Sequence, residues 1–307
     1  MTYSSMAKSE LCRIRPESAC CQLAEAYGLL LYAKLLSDGH NSYSTDNSAI
    51  AHLIGETAAS VCGVYADVLT LPKHKSSAGN TVSSGNRFAV RIPNAEQKKL
   101  MCAAFAGGNG SILEKECCIN AFLRGAFLVC GTVTDPMKDY HMEFLAGSER
   151  RGDILAGAME RVGIRAHRLN RNERCVVYVK DVDGIMELMT RMGAPYAAGH
   201  VAQTRVVRDC RNNANRRVNC DQANIDRTLS ASEQQCAAIR KLIEGRGLEA
   251  IPPELREIAA LRLENPDMSL RELSESLSEP ISRSGVNHRL KKLMEMAEEK
   301  KRKAKRN

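Results

Sequence analysis

The feature that most limits how this chain can fold is an internal repeat with a period of about 100 residues. One order of predicted elements occurs twice: an apolar helix, an extended segment, a second helix, a hairpin and a closing helix. The first copy covers residues 20–37, 43–45, 48–63, 64–71, 87–93 and 94–106. The second copy covers residues 117–131, 132–144, 148–163, 165–169, 175–181 and 182–192. A duplication of this size predicts two halves packed about a pseudo-two-fold axis rather than a solenoid.

The apolar helices of the two copies align on a Cys-Cys pair and on a central glycine, Gly28 in the first and Gly125 in the second. Glycine has no Cβ, so matched glycines predict that the two helices approach each other closely. The alternative is that each glycine is a tolerated interruption, which costs roughly 1 kcal/mol against alanine. Their matched positions favour the packing role.

With this pattern, the first 195 residues resemble the LAGLIDADG homing endonucleases. When LRGAFLVCG (123–131) and AYGLLLYAK (26–34) are aligned with the nine-residue motif of that family, the two glycines fall at its helix-packing position. Cys130 and Ala33 then fall where that family carries its two metal-binding carboxylates. Magnesium-type ions need hard oxygen ligands, which a thiol or a methyl group does not supply. We therefore expect no strand cleavage by that mechanism, no catalytic residue, no metal and no other cofactor.

The C-terminal part predicts a helix-turn-helix. Ser269 can cap a short helix, with Glu272 completing a capping box. Residues 278–281 form the turn, and a second helix begins near Ser282 and runs to about residue 298. The predicted buried faces of the two helices consist of Leu270, Leu273, Leu277, Val286, Leu290, Leu293 and Met294.

The second helix of such a module enters the major groove with its first turns at the base edges. Arginine suits guanine and asparagine suits adenine in two-contact recognition, so Arg283 and Asn287 are the candidate base readers. The candidate DNA-binding residues of this helix are Ser282, Arg283, Ser284, Asn287, His288, Arg289, Lys291 and Lys292. Arg289, Lys291 and Lys292 would neutralise phosphates. The alternative is a helical hairpin with a charged surface.

Further cations could contact the DNA backbone. The net charge is only +8, from 44 basic and 36 acidic residues, so the distribution of charge matters more than its size. The candidates in the hairpins and the connection are Lys73, Lys75, Arg87, Arg165, Arg168, Arg171, Arg216 and Arg217. The connection (198–219) also carries Arg205, Arg208 and Arg211, and reads either as a solvated linker or as a linker helix with a basic face. The hairpin cations could equally be ordinary polar turns, and the basic tail (300–307) would add only non-specific affinity.

Two other sets of residues could bind metal. Asp139, His141 and Glu143 alternate along an extended segment and would share one face, but we interpret them as polar contacts at a helix–strand junction. The chain has 12 cysteines, including the adjacent pairs 20–21 and 117–118. It has no C-x-x-C pair and no zinc-finger spacing, so we interpret the cysteines as small buried thiols, with redox or metal roles as the alternative.

Three segments together resemble the WhiA family: GTVTDPMKDYHMEF (131–144), NRRVNCDQAN (215–224) and SRSGVNHRLKKL (282–293). The resemblance covers nearly the whole chain in the same order. It implies an α+β fold, with a degenerate, duplicated LAGLIDADG-like domain followed by an all-α helix-turn-helix domain. The implied boundaries are 1–197 for the first domain (repeats about 20–106 and 117–192), 198–219 for the basic linker, 220–299 for the helix-turn-helix domain and 300–307 for the tail.

The same resemblance implies a DNA-binding transcriptional regulator of cell division, chromosome segregation and/or sporulation, without nuclease activity. The expected partner is double-stranded DNA. An alternative is a scaffold that binds RNA polymerase, a sigma factor or another regulator, with DNA binding secondary; a metal-dependent nuclease with relocated ligands is a further one. There is no signal-peptide pattern and no apolar stretch of about 20 residues, so we expect a cytoplasmic, nucleoid-associated protein without a membrane partner.

Overall fold

The computed structural model describes residues 2–37, 39–71, 86–106, 108–171, 174–244 and 247–304. Contacts divide the chain into two compact units, Met1–Arg208 and Asp209–Asn307. None of the helices in the described ranges combines the length and the apolarity that crossing a bilayer requires. The predicted candidates Lys73 and Lys75 lie outside the described residues, as does the side chain of Arg171.

The first unit contains two sets of elements in the predicted order. Its helices are α1 (Tyr3–Leu11), α2 (Ala19–Tyr32), α3 (Ser48–Cys62), α4 (Ala95–Ala103), α5 (Gly108–Ile112), α6 (Glu116–Cys130), α7 (Glu149–Arg161) and α8 (Val182–Met192). Its strands are β1 (Ser42–Thr45), β2 (Asp67–Leu71), β3 (Arg87–Arg91), β4 (Gly131–Val133), β5 (Met142–Leu145), β6 (His167–Arg171) and β7 (Arg174–Val179). The strands form two antiparallel sheets, in the orders β1-β3-β2 and β4-β5-β7-β6.

The remaining elements are α9 (Pro195–Ile243), a 3₁₀ turn (Leu248–Ala250), α10 (Pro253–Glu264), α11 (Leu270–Glu275) and α12 (Arg283–Ala304). Residues 198–219, predicted as a linker, are helical and lie within α9, and the boundary between the units falls inside that stretch. The first predicted helix, 20–37, ends earlier, at Tyr32. The last helix continues to Ala304 and so takes in the first residues of the predicted tail.

The two repeats contact each other through α2 and α6, the helices that carry Gly28 and Gly125. A Cβ on Gly28 would lie 2.3 Å from the carbonyl oxygen of Phe122, and a Cβ on Gly125 would lie 2.4 Å from that of Glu25. Glu25 and Phe122 are equivalent positions of the two repeats, three residues before each glycine. The contact is therefore reciprocal, which confirms the predicted close packing of α2 on α6 about a pseudo-two-fold axis.

A buried ion pair lies beside this contact. Nε of Arg124 donates to Oε1 of Glu25 at 2.9 Å, and a second guanidinium nitrogen donates to Oε2 at 3.1 Å. The two side chains are only 8% and 5% exposed. The same guanidinium donates to the carbonyl oxygen of Met192, at the end of α8. Because both charges are paired and hydrogen-bonded, they can remain inside an otherwise apolar core.

Short capping interactions set the ends of several helices. Asn47 accepts hydrogen bonds from the backbone of Ala49 and Ile50 at the start of α3, and Gly63 ends that helix with a φ of 65°. Ser269 and Glu272 form the predicted capping box at the start of α11. The second unit has its own core, formed by Ile239, Leu242, Ile251, Leu255, Ile258, Ala259, Leu273, Leu277, Val286, Leu290, Leu293 and Ala297.

Candidate nucleic-acid interface

The turn between α11 and α12 is held by hydrogen bonds from neighbouring elements. Ser274 donates from its hydroxyl to the carbonyl oxygen of Ile281 at 2.7 Å. The carboxylate of Glu257, on α10, accepts from the backbone and the hydroxyl of Ser278 at 2.6 and 2.9 Å. These contacts lower the pKa of Glu257 and fix the direction in which α12 leaves the turn.

A buried arginine supports the other end of α11. Arg262 is 2% exposed and donates to the carbonyl oxygens of Met268 and Pro266 at 2.7 and 3.2 Å. Cys236 and Ser232 of α9 contact the same region. The short helix is thus attached at both ends, and this rigidity suits a module that must present side chains in a fixed register.

The predicted recognition residues lie at the start and on the outer face of α12. Ser282 accepts from the backbone of Gly285 at 3.1 Å and so caps the helix. Val286, Leu290 and Leu293 are fully buried, which confirms the predicted apolar face. The side chains of Arg283, Ser284, Asn287, His288, Lys291 and Lys292 are all exposed.

The two predicted base readers open onto a shared cleft. Arg283 and Asn287 line a cavity of about 380 Å³ together with Arg227 of α9 and Arg271 of α11. The periodicity of α12 alone could not identify Arg227 and Arg271, because they come from other helices. With the buried Arg262, four arginines and none of the described acidic residues line this cavity, so it carries an excess of positive charge, although Arg271 also pairs with Glu275 at 3.1 Å.

Two of the predicted phosphate contacts have acidic neighbours. Nζ of Lys292 lies 3.7 Å from the carboxylate of Glu254, and both side chains are about half exposed. Arg289 is half-buried and lies near Glu257, whose pKa it helps to lower. Lys291 is exposed, and the described residues include no ion-pair partner for it. Of the three, Lys291 is the most available to a phosphate.

In the first unit, the sheet register separates the hairpin cations into two groups. Arg87 and Arg91 are exposed and lie on the same side of β3, since they are four residues apart in one strand. Arg168 instead pairs in register with the buried Val177, and its guanidinium contacts Asp153 of α7. Arg168 therefore faces the helices rather than the outer face of the sheet. Arg165 is exposed, just before β6.

The arginines of the predicted linker also differ from one another. Arg208 donates to the carbonyl oxygens of Pro136 and Lys138, and its guanidinium lies 4.8 Å from the centre of the Tyr140 ring. Arg205 forms an ion pair with Asp183 of α8. Both side chains are therefore held by contacts within the first unit, to which Arg205 and Arg208 themselves belong. Arg211, Arg216 and Arg217 are exposed.

The position that would hold the metal ligands of a homing endonuclease is basic. Ala33 caps the end of α2 and Cys130 is the last residue of α6. Burial raises the pKa of the Cys130 thiol to about 12, so the side chain is neutral at pH 7. The adjoining cavity, of about 710 Å³, is lined by Lys8, Tyr32, Lys34, Tyr43, Val129, Cys130, Gly131, Thr132, Glu143, Leu145, Arg174 and Val176. Its lining includes three cations, Lys8, Lys34 and Arg174, and one carboxylate, that of Glu143; the sequence analysis did not single out the two lysines.

The alternating acidic and histidine residues form polar contacts, as predicted. Nε2 of His141 lies 3.3 Å from the carboxylate of Glu143, which also accepts from Thr132. The carboxylate of Asp139 accepts from the backbone of Tyr140. His141 also packs against Tyr178 of β7, so this ring is part of the sheet surface.

Comparisons with known proteins agree with both units. A model of the WhiA LAGLIDADG-like domain matches residues 119–211, and a model of the WhiA C-terminal HTH domain matches residues 214–297. The chain is 36% identical over 305 residues to a "Probable cell division protein WhiA" of Desulforudis audaxviator (strain MP104C), covering 97% of each chain. It is 35% identical over 316 residues to the protein of that name in Oceanobacillus iheyensis, covering 98% of each.

The fold also resembles a solved structure, the crystal structure of full-length DUF199/WhiA from Thermatoga maritima, with a TM-score of 0.59. The two are 22% identical, and the match covers 97% of this chain and 99% of the other. The predicted architecture is confirmed: an α+β LAGLIDADG-like domain precedes a helix-turn-helix domain. From its full-length relatives and both domain models, the chain belongs to the WhiA family.

Proposed function

We propose that this chain is a non-enzymatic, sequence-specific DNA-binding transcriptional regulator that acts in cell division, chromosome segregation and/or sporulation. The observation that carries the proposal is the exposed start of α12, where Arg283 and Asn287 project beside a turn held by three hydrogen bonds. Side chains of these types, at the N-terminal end of a helix after a fixed turn, are what major-groove readout requires. The names of the relatives support the link to cell division.

Genome-wide mapping of bound DNA tests this proposal. The wild-type chain should occupy a limited set of sites that share a sequence, and the Arg283→Ala/Asn287→Ala variant should lose the pattern while keeping weak, uniform binding through phosphates. The transcripts of neighbouring genes should change in the variant. An unchanged pattern in this variant would show that α12 does not read the bases.

The absence of nuclease activity is part of the proposal. Cys130 is neutral and Ala33 is apolar, so neither supplies a carboxylate to hold a metal ion. Lys8 and Lys34 line the same cavity, and their positive charges disfavour the binding of a metal cation there. Incubation with plasmid DNA and Mg²⁺ or Mn²⁺ should give no cuts above background. Metal-dependent cuts that disappear in Asp135→Asn or Glu143→Gln would instead establish a nuclease with relocated ligands.

The first unit could contribute to DNA binding through the former metal position. Lys8, Lys34 and Arg174 line that cavity. Their positive charges would bind a backbone phosphate of DNA directly, where the nucleases bind phosphate through metal ions. Among the described residues, Lys34 is the one non-glycine residue with a positive φ, at 62°. Such a conformation is uncommon for lysine and occurs next to the positions of the lost ligands. This placement supports a retained phosphate contact without chemistry.

A second candidate for the first unit is a protein-binding surface, for example toward RNA polymerase, a sigma factor or another regulator. One cross-strand row of the second sheet is apolar: Leu145, Val176 and Leu169 are paired in register. The two leucines are 47% and 53% exposed. An apolar row beside Glu143 suits a protein better than a phosphate backbone. Leu169→Asp in the full-length chain should release such a partner and leave DNA affinity unchanged.

A further inference from the structure

Four cysteines from the two repeats meet in one place. Cys20 and Cys21 lie in the first turn of α2, and Cys117 and Cys118 lie in the first turn of α6. The four sulfur atoms all lie within 4.8 Å of one another, and all four cysteines are free. The two pairs are 97 residues apart in the sequence, so no local spacing pattern predicts the cluster.

The glycine contact explains why the pairs meet. Cys21 and Cys118 each precede their repeat's packing glycine by seven residues, which is close to two helical turns. They therefore lie on the same face as the glycines, toward the partner helix, and are 9% and 2% exposed. Cys20 and Cys117 lie beside them, half-buried and exposed respectively. The helix packing thus brings two buried and two accessible thiols together across the pseudo-two-fold axis.

We propose that this four-cysteine cluster (Cys20, Cys21, Cys117 and Cys118) binds one thiolate-preferring, tetrahedral divalent ion of the zinc class. Zinc bound by four thiolates has Zn–S bonds of about 2.3 Å, which places the sulfur atoms roughly 3.8 Å apart. A cluster whose sulfur atoms lie within 4.8 Å reaches this geometry through small side-chain rotations. A hard cation such as magnesium would find no oxygen ligand among the four side chains.

The helix N-termini offset part of the cost of holding thiolates at this cluster. Both cysteine pairs lie in the first turn of a helix, where the backbone N–H groups and the helix dipole stabilise negative charge. Burial raises the pKa of the Cys21 and Cys118 thiols, so the ion must displace their protons when it binds. The nearest acidic residue in the same first turn, Glu116, forms an ion pair with Arg191 of α8. The exposed Cys117 and the half-buried Cys20 leave the ion a route from solvent. A bound ion would link the two repeats at the start of α2 and α6, at the other end of these helices from Ala33 and Cys130.

Cobalt and zinc binding to the full-length chain test the proposal. Protein prepared with a reductant and a chelator, and then freed of the chelator, should bind one equivalent of Co²⁺. The product should show sulfur-to-cobalt charge-transfer bands and the strong visible bands of a tetrahedral site. Zinc should displace the cobalt stoichiometrically and raise the melting temperature, because a ligand that binds only the folded chain stabilises it.

Variants assign the site. Cys117→Ser changes an exposed residue, so the chain should still fold, and it should weaken binding by at least about tenfold, the loss that follows removal of an outer-sphere contact alone. Cys20→Ser provides a second ligand variant on the other helix. The Cys210→Ser/Cys220→Ser variant removes two exposed thiols of α9 and should bind the ion as the wild type does.

Three results would overturn the proposal. The first is the absence of charge-transfer bands in the reduced wild-type chain at stoichiometric cobalt. The second is equal binding by wild type and Cys117→Ser. The third is thiol counting that finds four of the 12 thiols lost as disulfides in freshly isolated protein, with no metal uptake after reduction. None of these outcomes depends on DNA binding by α12.

Discussion

Glu25 and Arg124 form a buried ion pair whose symmetry-equivalent pair is aromatic. A shift of 97 positions carries Glu25 to Phe122 and Tyr27 to Arg124. The rings of Tyr27 and Phe122 stack at 5.7 Å with an interplanar angle of 27°, whereas Glu25 and Arg124 are joined by two hydrogen bonds. The two sides of one pseudo-symmetric contact therefore use different chemistry.

This difference specifies which helices can pair. Two copies of the second repeat packed together would bury Arg124 against Phe122, without a carboxylate. Two copies of the first would bury Glu25 against Tyr27, without a cation. Because an unpaired buried charge is costly, the ion pair favours contact between unlike repeats.

Loss of one partner of this pair should destabilise the first unit strongly. We expect Glu25→Leu to lower the free energy of unfolding by about 3–5 kcal/mol, because Arg124 is left buried without its partner. The Glu25→Leu/Arg124→Met variant should recover a large part of that loss in denaturant unfolding. As a control, Glu56→Gln breaks the Arg15–Glu56 pair, whose side chains are 57% and 61% exposed, and should cost less than about 1 kcal/mol. A double variant no more stable than Glu25→Leu would contradict this account.

The glycine contact gives a second stability prediction. Gly125→Ala places a Cβ 2.4 Å from a backbone oxygen of α2, so the helices must separate, and we expect a loss of about 3 kcal/mol. Gly157→Ala is the matched control, since a Cβ there meets nothing within 4 Å and alanine favours the helix by up to about 1 kcal/mol. Urea unfolding of both variants separates the two effects. Similar stabilities for the two variants would argue against the close packing.

Much of the fold could be predicted from local signals. The capping box at Ser269 and the apolar face of α12 each involve residues close in sequence, and the matched glycines are visible because the repeat recurs, so the sequence shows all three directly. The helix α1 was not predicted, although the hydroxyl of Thr2 caps it by accepting from the backbone of Ser5. It is held by distant contacts, such as the hydrogen bond from the Tyr3 hydroxyl to the carbonyl oxygen of Ala197. The arginines at 168 and 208 show the same difficulty, because their partners lie on other elements.

DNA binding should respond differently to the two kinds of residue on α12. Lys291→Ala should weaken binding to all sequences and reduce the salt slope by about one, because it removes one phosphate contact. Arg283→Ala should cost about 1–3 kcal/mol at the preferred site alone. Lys99→Ala, which removes one exposed lysine from α4, is the charge-matched control and should change neither. Binding isotherms at several salt concentrations measure both quantities, and a loss in Arg283→Ala that is equal on specific and random duplexes would count against base reading.

We expect the arginines of α9 to differ in their contribution to DNA binding. Arg216 is exposed, so Arg216→Ala should reduce the salt slope of DNA binding by about 0.9 if this residue contacts a phosphate. Arg208→Ala should leave the slope unchanged and lower the melting temperature, because it removes two hydrogen bonds to carbonyl oxygens and a contact with the Tyr140 ring. The opposite result, with Arg208 affecting the slope, would place the DNA differently.

Acid should remove one support of the turn before α12. The hydrogen bonds from Ser278 hold the pKa of Glu257 below its ordinary value of 4.5. A depressed pKa in the folded state means that the stabilisation is fully present above pH 4.5 and is lost as the pH falls through the folded value. Glu257→Gln should therefore melt earlier than the wild type at pH 7, and the difference should shrink below pH 4.5. Glu264→Gln, on the same helix, should show little difference at any pH; a constant gap for Glu257→Gln would exclude this mechanism.

The order in which the ribosome makes the two repeats adds a consequence to the glycine contact. Nine of the 14 residues of α2, including Glu25, are buried in the folded unit. Their partner helix, α6, is synthesised about 97 residues later, which at about 5–20 residues per second is a delay of about 5–20 seconds. Throughout that interval the nascent first repeat has an apolar helix and a carboxylate with no cation to pair with. The first unit can complete its core only after Arg124 and Gly125 have left the exit tunnel.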